Sequence, residues 1–216
     1  MIIIGIVGSP AGGKSTVAGH LADLGATWIN ADLIARSILN DPDTIEMIVH
    51  YFGSDVMSDE GHIDRKHLAA RVFGDDKAKR SALTYLESVL HPRTRQRITE
   101  SLQNANDSGA NAVALEVPLL FESGWDTTCD EIWCVDATAE RRQKWAKSRN
   151  WSAQDLRNRE LNQIPIELKK RLSNQVMMNQ GSSNDLKQLV HRHWHQLIQR
   201  PIKIDTRHCF NGLETK

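Results

Sequence analysis

The chain has 216 residues, and its 27 Lys and Arg are balanced by 27 Asp and Glu, for a formal net charge of zero. That length suits one α/β domain with a full core. The neutral balance argues against a general nucleic-acid binder, which would be strongly basic. Its three cysteines (Cys129, Cys134 and Cys209) form no CxxC pair or disulfide framework and fit a reducing cytosol. The longest apolar stretch, Val113–Phe121, is interrupted by Glu116 and Pro118 and is too short to span a bilayer.

Met1–Val7 is continuous and β-branched, the pattern of a strand buried on both faces. It lacks a basic leading region and runs directly into a glycine-rich segment, so we do not read it as a signal peptide. Gly8–Ser15 reads as a loop. Thr16–Leu24 reads as a helix with Val17, Leu21 and Leu24 on one face and Gly25 ending it. Thr27–Asn30 is a short second strand, followed by Ala31, Asp32 and a helix through Leu39. From Asp43 to Ala105 the pattern is helical, apart from a polar stretch at Gly53–Asp64. Asn111–Val117 and Glu131–Val135 are buried strands, the latter ending at Asp136. Thr138–Leu172 reads as helical and heavily charged, Val176–Met178 as a last strand and Ser183–Leu197 as a last helix. Residues 201–216 are expected to be a poorly ordered tail. The alternation of strand and helix implies a parallel sheet wrapped by helices.

Gly8-Ser9-Pro10-Ala11-Gly12-Gly13-Lys14-Ser15 fits G-x-x-x-x-G-K-[ST], with a strand before it and a helix after it. Glycines let backbone N–H groups turn inward around phosphates, and the helix start adds its positive dipole end. Lys14 suits the β- and γ-phosphates as a point charge, and the Ser15 hydroxyl suits Mg²⁺. The motif therefore points to ATP and to phosphoryl transfer. Such a reaction also needs an acid near the metal and a group to receive the acceptor's proton. Glu116, closing the Val113–Val117 strand, is assigned to the metal; the competing reading is a carboxylate facing solvent at a sheet edge. Asp32, at the carboxyl edge of the sheet, is the candidate proton acceptor; it also reads as an N-cap for the Leu33–Leu39 helix.

Ala137–Arg171 carries ten Lys or Arg against four Asp or Glu. A solvated helix face would account for this. So would a lid whose arginines neutralise charge on a transferring phosphoryl group, and with the phosphate loop present we favour the lid. Arg149 and Arg159 are singled out because planar bidentate donors suit phosphate oxygens. His191 and His195 have i,i+4 spacing, but no acid or thiol is nearby in sequence, so no metal site is assigned to them. Trp28, Trp133 and Trp194 read as core.

Together these pieces resemble the dephospho-CoA kinase family, which carries out the last step of coenzyme A biosynthesis. The resemblance runs from Ile3 to about Leu197. It rests on Gly8–Thr16, Ala31-Asp32-Leu33-Ile34-Ala35-Arg36, Gly61-His62-Ile63-Asp64-Arg65, Leu90-His91-Pro92, Glu116-Val117-Pro118-Leu119-Leu120-Phe121-Glu122, Arg159 with Gln163 and Pro165, and Asn179-Gln180-Gly181. It implies a P-loop α/β/α fold with a five-stranded parallel sheet, a helical substrate-binding part and a lid. On that pattern 1–200 is one kinase domain, with its core near 1–40, 106–136 and 173–200. The helical part spans about 41–105 and the lid about 137–172. The implied reaction moves the γ-phosphate of ATP to the ribose 3′-hydroxyl of dephospho-CoA with Mg²⁺. ATP would lie on Gly8, Ala11, Gly12, Gly13, Lys14, Ser15, Thr16 and Arg149, with its adenine against Asn179 and Gly181. Dephospho-CoA would meet Asp32, Arg36, Asp64, Arg65, His91, Pro92 and Arg159. Catalysis falls to Asp32, Lys14 and Arg149, and the metal to Ser15 and Glu116. A cytoplasmic monomer or weak homo-oligomer without nucleic-acid or membrane partners is expected.

This sequence departs from the family pattern at Asn30, Glu116 and Asn174, where Asp is usual, and at Trp145, where a lid Arg is expected. Nucleoside and nucleoside-monophosphate kinases share the loop and lid and stay open as alternatives. A GTPase switch would need DxxG and NKxD, which are lacking, and the Lys14, Ser15 and Asp32 set argues against a loop that binds nucleotide without turning it over.

Overall fold

The continuous apolar run Ile2–Gly8 forms β1, the middle strand of a sheet, and it is buried from Ile3 onward. On one side β1 pairs in parallel with β3 (Ala112–Glu116), with Ile6 opposite Glu116. On the other it pairs in parallel with β4 (Glu131–Asp136), with Gly8 opposite Val135. β5 (Gln175–Met178) adds beyond β4, and β2 (Thr27–Asn30) lies outside β3. The order β2-β3-β1-β4-β5 is that of a five-stranded, all-parallel P-loop sheet. Chain direction across the sheet reverses at β1, so the crevice beyond its carboxyl end is where such sheets take ligands. The computed structural model describes residues 1–74 and 76–199; the expectation for the 201–216 tail lies outside the described residues. The chain divides into two compact units, one of Met1–Trp28 with Gly109 onward and one of Ile29–Ser108.

In the first unit, α1 (Lys14–Asp23) and α9 (Ser183–Ile198) cover one face of the sheet. Val17 and Leu21 from α1 meet Leu186, Val190 and Trp194 from α9 over Ile4, Ile6, Trp133 and Met177. Each fully buried Val, Leu or Ile here contributes about 1.5–3 kcal/mol of transfer free energy, which is why the pattern of these strands survives into the fold. Trp133 and Trp194 are core, as expected, whereas Trp28 is 38% exposed and is not. The first helix begins at Lys14, two residues before the expected start, because Gly13 takes the left-handed φ of 107° and lets the turn begin directly after it. The charged segment is helical, as expected, and consists of three helices: α6 (Ala139–Lys147), α7 (Ala153–Leu161) and α8 (Ile166–Leu172). Asn150 turns the chain with a φ of 58°, and Ser152 opens α7 with a capping box to Asp155. Pro165, which has no N–H to give an ongoing helix, sits at the cap of α8.

The second unit consists of α2 (Ala31–Ile38), α3 (Pro42–Phe52), α4 (Arg65–Val72) and α5 (Lys77–Asp107), which makes nine α-helices among the described residues. Ile48, Val56, Ile63, Leu68, Val72 and Leu86 form its core. Beside that core the Tyr85 ring stacks on Tyr51 at 3.8 Å, and the Tyr85 hydroxyl donates to the Met47 carbonyl at 3.0 Å. The polar break expected at 53–64 is a 3₁₀ turn, Ser54–Val56, followed by an antiparallel bridge between Met57 and Ile63.

Candidate active site

The phosphate loop leaves the carboxyl end of β1 where backbone space is tightest. A Cβ on Gly8 would sit 1.9 Å from the Val135 carbonyl oxygen, and one on Gly13 would sit 2.4 Å from the Asn179 amide nitrogen. Glycine is therefore required at both positions, quite apart from any ligand. Gly13 offers α1 no side-chain cap, so the start of the helix presents backbone N–H groups and its dipole. Lys14 Nζ donates to the Ser9 carbonyl at 3.0 Å and the Gly8 carbonyl at 3.3 Å, which holds the ammonium over the loop. Ala11 is buried at a φ of 57°, and Thr16 is exposed on the first turn of α1.

Two carboxylates grip this loop from the strands flanking β1. On the β3 side Glu116 is only 5% exposed; its Oε1 accepts from the Ser15 hydroxyl at 2.7 Å and its Oε2 from the Trp28 indole N–H at 3.2 Å. The solvent-facing reading of Glu116 is thereby corrected. On the β4 side Asp136 accepts from the Ser9 hydroxyl at 2.5 Å and the Ala137 N–H at 2.8 Å, and it pairs with Lys170 Nζ at 2.9 Å. Burial pushes the Asp136 carboxyl upward. The bonds from Lys170, Ser9 and Ala137 outweigh that and hold it below the ordinary carboxylate range. The sequence reading did not find Asp136 or Lys170, because their partners are set by strand order rather than by local spacing.

Asn179, just past β5, is buried. Its side chain donates to the Gly12 carbonyl at 3.2 Å, and its own N–H to the Asp136 carbonyl at 2.7 Å. Arg141 donates to the Gly181 carbonyl at 2.8 Å. Met178, Asn179, Gly181, Leu186, Leu189 and Arg192 are among the residues lining a cleft of about 230 Å³ next to this turn. In the charged segment, Arg149 and Arg159 both lie over the Trp151 ring, at 5.7 Å and 4.1 Å from its centroid. Ala146 and Leu156, flanked by Trp145 and Trp151, pack on Ala11 of the phosphate loop. Arg142 pairs with Glu160 and so ties α6 to α7. Lys169 departs from the reading of these cations as a solvated or lid face: it is 1% exposed and donates to Gln163 Oε1 at 2.6 Å, and burial lowers its pKa. Asn174 accepts from the Ile132 N–H at 2.8 Å and fixes the entry to β5, which gives that departure from the family pattern a structural role.

In the second unit the N-cap of α2 is Asn30, whose side chain accepts from the Leu33 N–H at 3.0 Å. The cap therefore does not fall on Asp32. Its carboxylate is exposed in the first turn of α2, past the carboxyl end of β2, with Arg36 exposed one turn further on. Asp64 caps α4 by accepting from the Lys66 and His67 N–H groups at 2.8 and 3.1 Å, and these bonds lower its pKa. Arg65 is exposed beside it. His91 and Pro92 are exposed in the middle of α5, where Pro92 removes one backbone N–H from the helical ladder.

Among the described residues no three His, Cys, Asp or Glu gather into a metal cluster. Mg²⁺ in phosphoryl-transfer sites needs none, since one or two protein oxygens with phosphates and water complete its octahedron. The Ser15 hydroxyl and the Glu116 carboxylate are hard oxygen donors of that kind.

A parallel 2-3-1-4-5 sheet with its phosphate loop held between a buried glutamate and a buried aspartate defines a P-loop kinase. The dephospho-CoA kinase family model matches residues 2–185. A dephospho-CoA kinase from Rhodopirellula baltica is 40% identical over 197 residues, covering 91% of each chain. Among solved structures, TT1252 from Thermus thermophilus superposes with a TM-score of 0.74 at 32% identity, covering 91% of this chain and 97% of that one. A dephospho-CoA kinase from Campylobacter jejuni superposes with a TM-score of 0.67 at 26% identity, covering 90% and 96%. The chain belongs to the dephospho-CoA kinase family.

Proposed function

We propose that this enzyme transfers the γ-phosphoryl group of ATP to the ribose 3′-hydroxyl of dephospho-CoA, giving CoA and ADP, with the residues of this chain dividing the work as follows. Gly8–Thr16 cradles the β- and γ-phosphates through backbone N–H groups and the α1 dipole, and Lys14 adds a positive charge to the oxygens of the transferring group. Asn179 and Gly181 take the adenine side of ATP. Arg149 contributes a planar donor to the phosphates, and Arg159 to the acceptor. Arg36, Asp64, Arg65, His91 and Pro92 contact dephospho-CoA. Ser15 and Glu116 hold Mg²⁺, which when bound neutralises charge developing on the phosphoryl oxygens.

A ribose hydroxyl is a weak nucleophile with a pKa far above neutrality. It benefits from a carboxylate that aligns it and takes its proton as the bond to phosphorus forms. Asp32 fills that role. The observation that supports this most is that Asn30 takes the helix cap and leaves the Asp32 carboxylate exposed at a strand's carboxyl end. A nucleoside-monophosphate kinase needs no such base, because its acceptor is already anionic.

The setting that fits is cytosolic: Cys129 and Cys134 are free thiols, which burial first and neighbouring aspartates second push up to about 12 and about 11. Nucleic acid and membrane have no part in the reading, and no helix among the described residues is long and apolar enough to cross a membrane. A monomer or weak homo-oligomer suffices. The test is Asp32→Asn, which keeps shape and hydrogen bonding but cannot accept a proton. It lowers kcat with dephospho-CoA by about 100-fold or more and changes ATP affinity little. Retained turnover with lost ATP binding would assign Asp32 to the nucleotide instead.

A further inference from the structure

Glu116 has one more rotatable bond than an aspartate, so its carboxylate must be fixed by its neighbours before it can face a metal in one orientation. Two donors do this from different sides. Ser15 Oγ donates to Oε1 at 2.7 Å and Trp28 Nε1 to Oε2 at 3.2 Å, while the acid is 5% exposed. Trp28 is unusual for a large aromatic in this unit. Trp133 and Trp194 are 1% and 6% exposed and packed in the core, whereas Trp28 is 38% exposed on a strand only four residues long. It is less deeply packed than the other two, and its indole N–H is directed at the carboxylate.

We propose that Trp28 is a positioning residue for the metal: its indole N–H fixes the plane of the Glu116 carboxylate, so that the oxygen beside Ser15 faces the cation carried by ATP. Partners that orient a ligating carboxylate typically set about 10- to 100-fold in metal affinity. Phenylalanine at this position keeps an aromatic ring and removes the donor together with the pyrrole half of the indole, and Trp28→His controls for that lost packing. The proposal rests on the reading of Glu116 as a metal residue, and the experiment separates the two.

Mn²⁺ serves as the probe, titrated by electron paramagnetic resonance into the full chain holding a non-hydrolysable ATP analogue. The proteins compared are wild type, Trp28→Phe, Trp28→His, Glu116→Gln and the Trp28→Phe, Glu116→Gln double variant. Trp28→Phe weakens Mn²⁺ by about 10-fold. It leaves affinity for the analogue without metal nearly unchanged, and the lost ring surface lowers the melting temperature only modestly. Trp28→His, which restores a ring N–H, recovers part of the loss. In the Glu116→Gln background Trp28→Phe adds less than about twofold, since the carboxylate through which it acts is gone. Unchanged Mn²⁺ affinity in Trp28→Phe, with weakened affinity in Glu116→Gln, would overturn the role of Trp28 alone. So would the same factor in both backgrounds. Unchanged affinity in Glu116→Gln would remove the metal reading, and this one with it.

Discussion

Asp136 gives the sharpest stability prediction, because its three partners can be separated by substitution. Its Oδ1 receives the Ser9 hydroxyl and the Ala137 N–H, while its Oδ2 faces Lys170. Asp136→Asn keeps an oxygen for the first two bonds and loses the charge facing Lys170. Breaking a fully buried ion pair costs about 3–5 kcal/mol. Lys170 is 22% exposed and also reaches Glu167 at 2.9 Å, so its charge is not stranded, and about 2 kcal/mol is expected. Asp136→Ala removes all three bonds and leaves the Ser9 hydroxyl buried without its acceptor, which raises the expected cost to about 3–5 kcal/mol. Because the folded-state pKa of Asp136 is held down, its contribution is fully present above the unfolded carboxyl pKa. It fades as pH falls through the folded value. Urea unfolding at pH 7 and again near pH 3 should therefore show a gap between wild type and Asp136→Asn that narrows in acid. Since Ser9 opens the phosphate loop, the ATP KM should also rise several-fold. Equal stability at pH 7, or a gap of the same size at both pH values, would refute this account of how the loop is anchored.

Other expectations can be checked more briefly. Lys14→Ala should leave circular dichroism unchanged and lower turnover by about 100-fold or more, since it removes a charge from the transferring group; near-normal kcat would dismiss that role. Hydrogen exchange in α6 and α7 should slow on binding a non-hydrolysable ATP analogue, while α8, packed on β1 and β4 with Lys169 buried, should be protected with or without it. Uniform protection across 139–161 in both states would leave those cations as ordinary surface. Lys169→Ala should cost about 2–4 kcal/mol in thermal or urea unfolding, and Arg171→Ala, at an exposed site, no more than about 0.5 kcal/mol. Similar costs for both would contradict the burial of Lys169.

The sheet was legible because its strands are short, continuous and apolar. Thr27–Asn30 matches its expected bounds, and the strands ending at Glu116 and Asp136 differ from theirs by about one residue. The phosphate loop was legible because glycine at Gly8 and Gly13 answers a steric demand that sequence spacing records directly. Asn30 and Asp32 are both good capping residues, and only the backbone decides between them: Asn30 has the extended φ and ψ of −111° and 109° from which the helix starts. Trp28 was misread as core, and the partners of Asp136 and Lys170 were not found, since these roles depend on which strands lie beside β1 and what packs beneath them. Lys169 sits in a run of three cations with no periodic signal to mark one as buried. Its burial follows from α8 packing on the sheet, which local pattern does not encode.

The measurement closest to the central claim is ADP release by the full chain with Mg²⁺-ATP, run in parallel with dephospho-CoA and with a panel of nucleosides and nucleoside monophosphates. The account predicts acceptor-dependent ADP release that is fastest with dephospho-CoA, matched mole for mole by a product bearing a new phosphate on the ribose 3′-oxygen. Faster phosphorylation of any monophosphate or nucleoside, or ADP release that does not respond to dephospho-CoA, would contradict it.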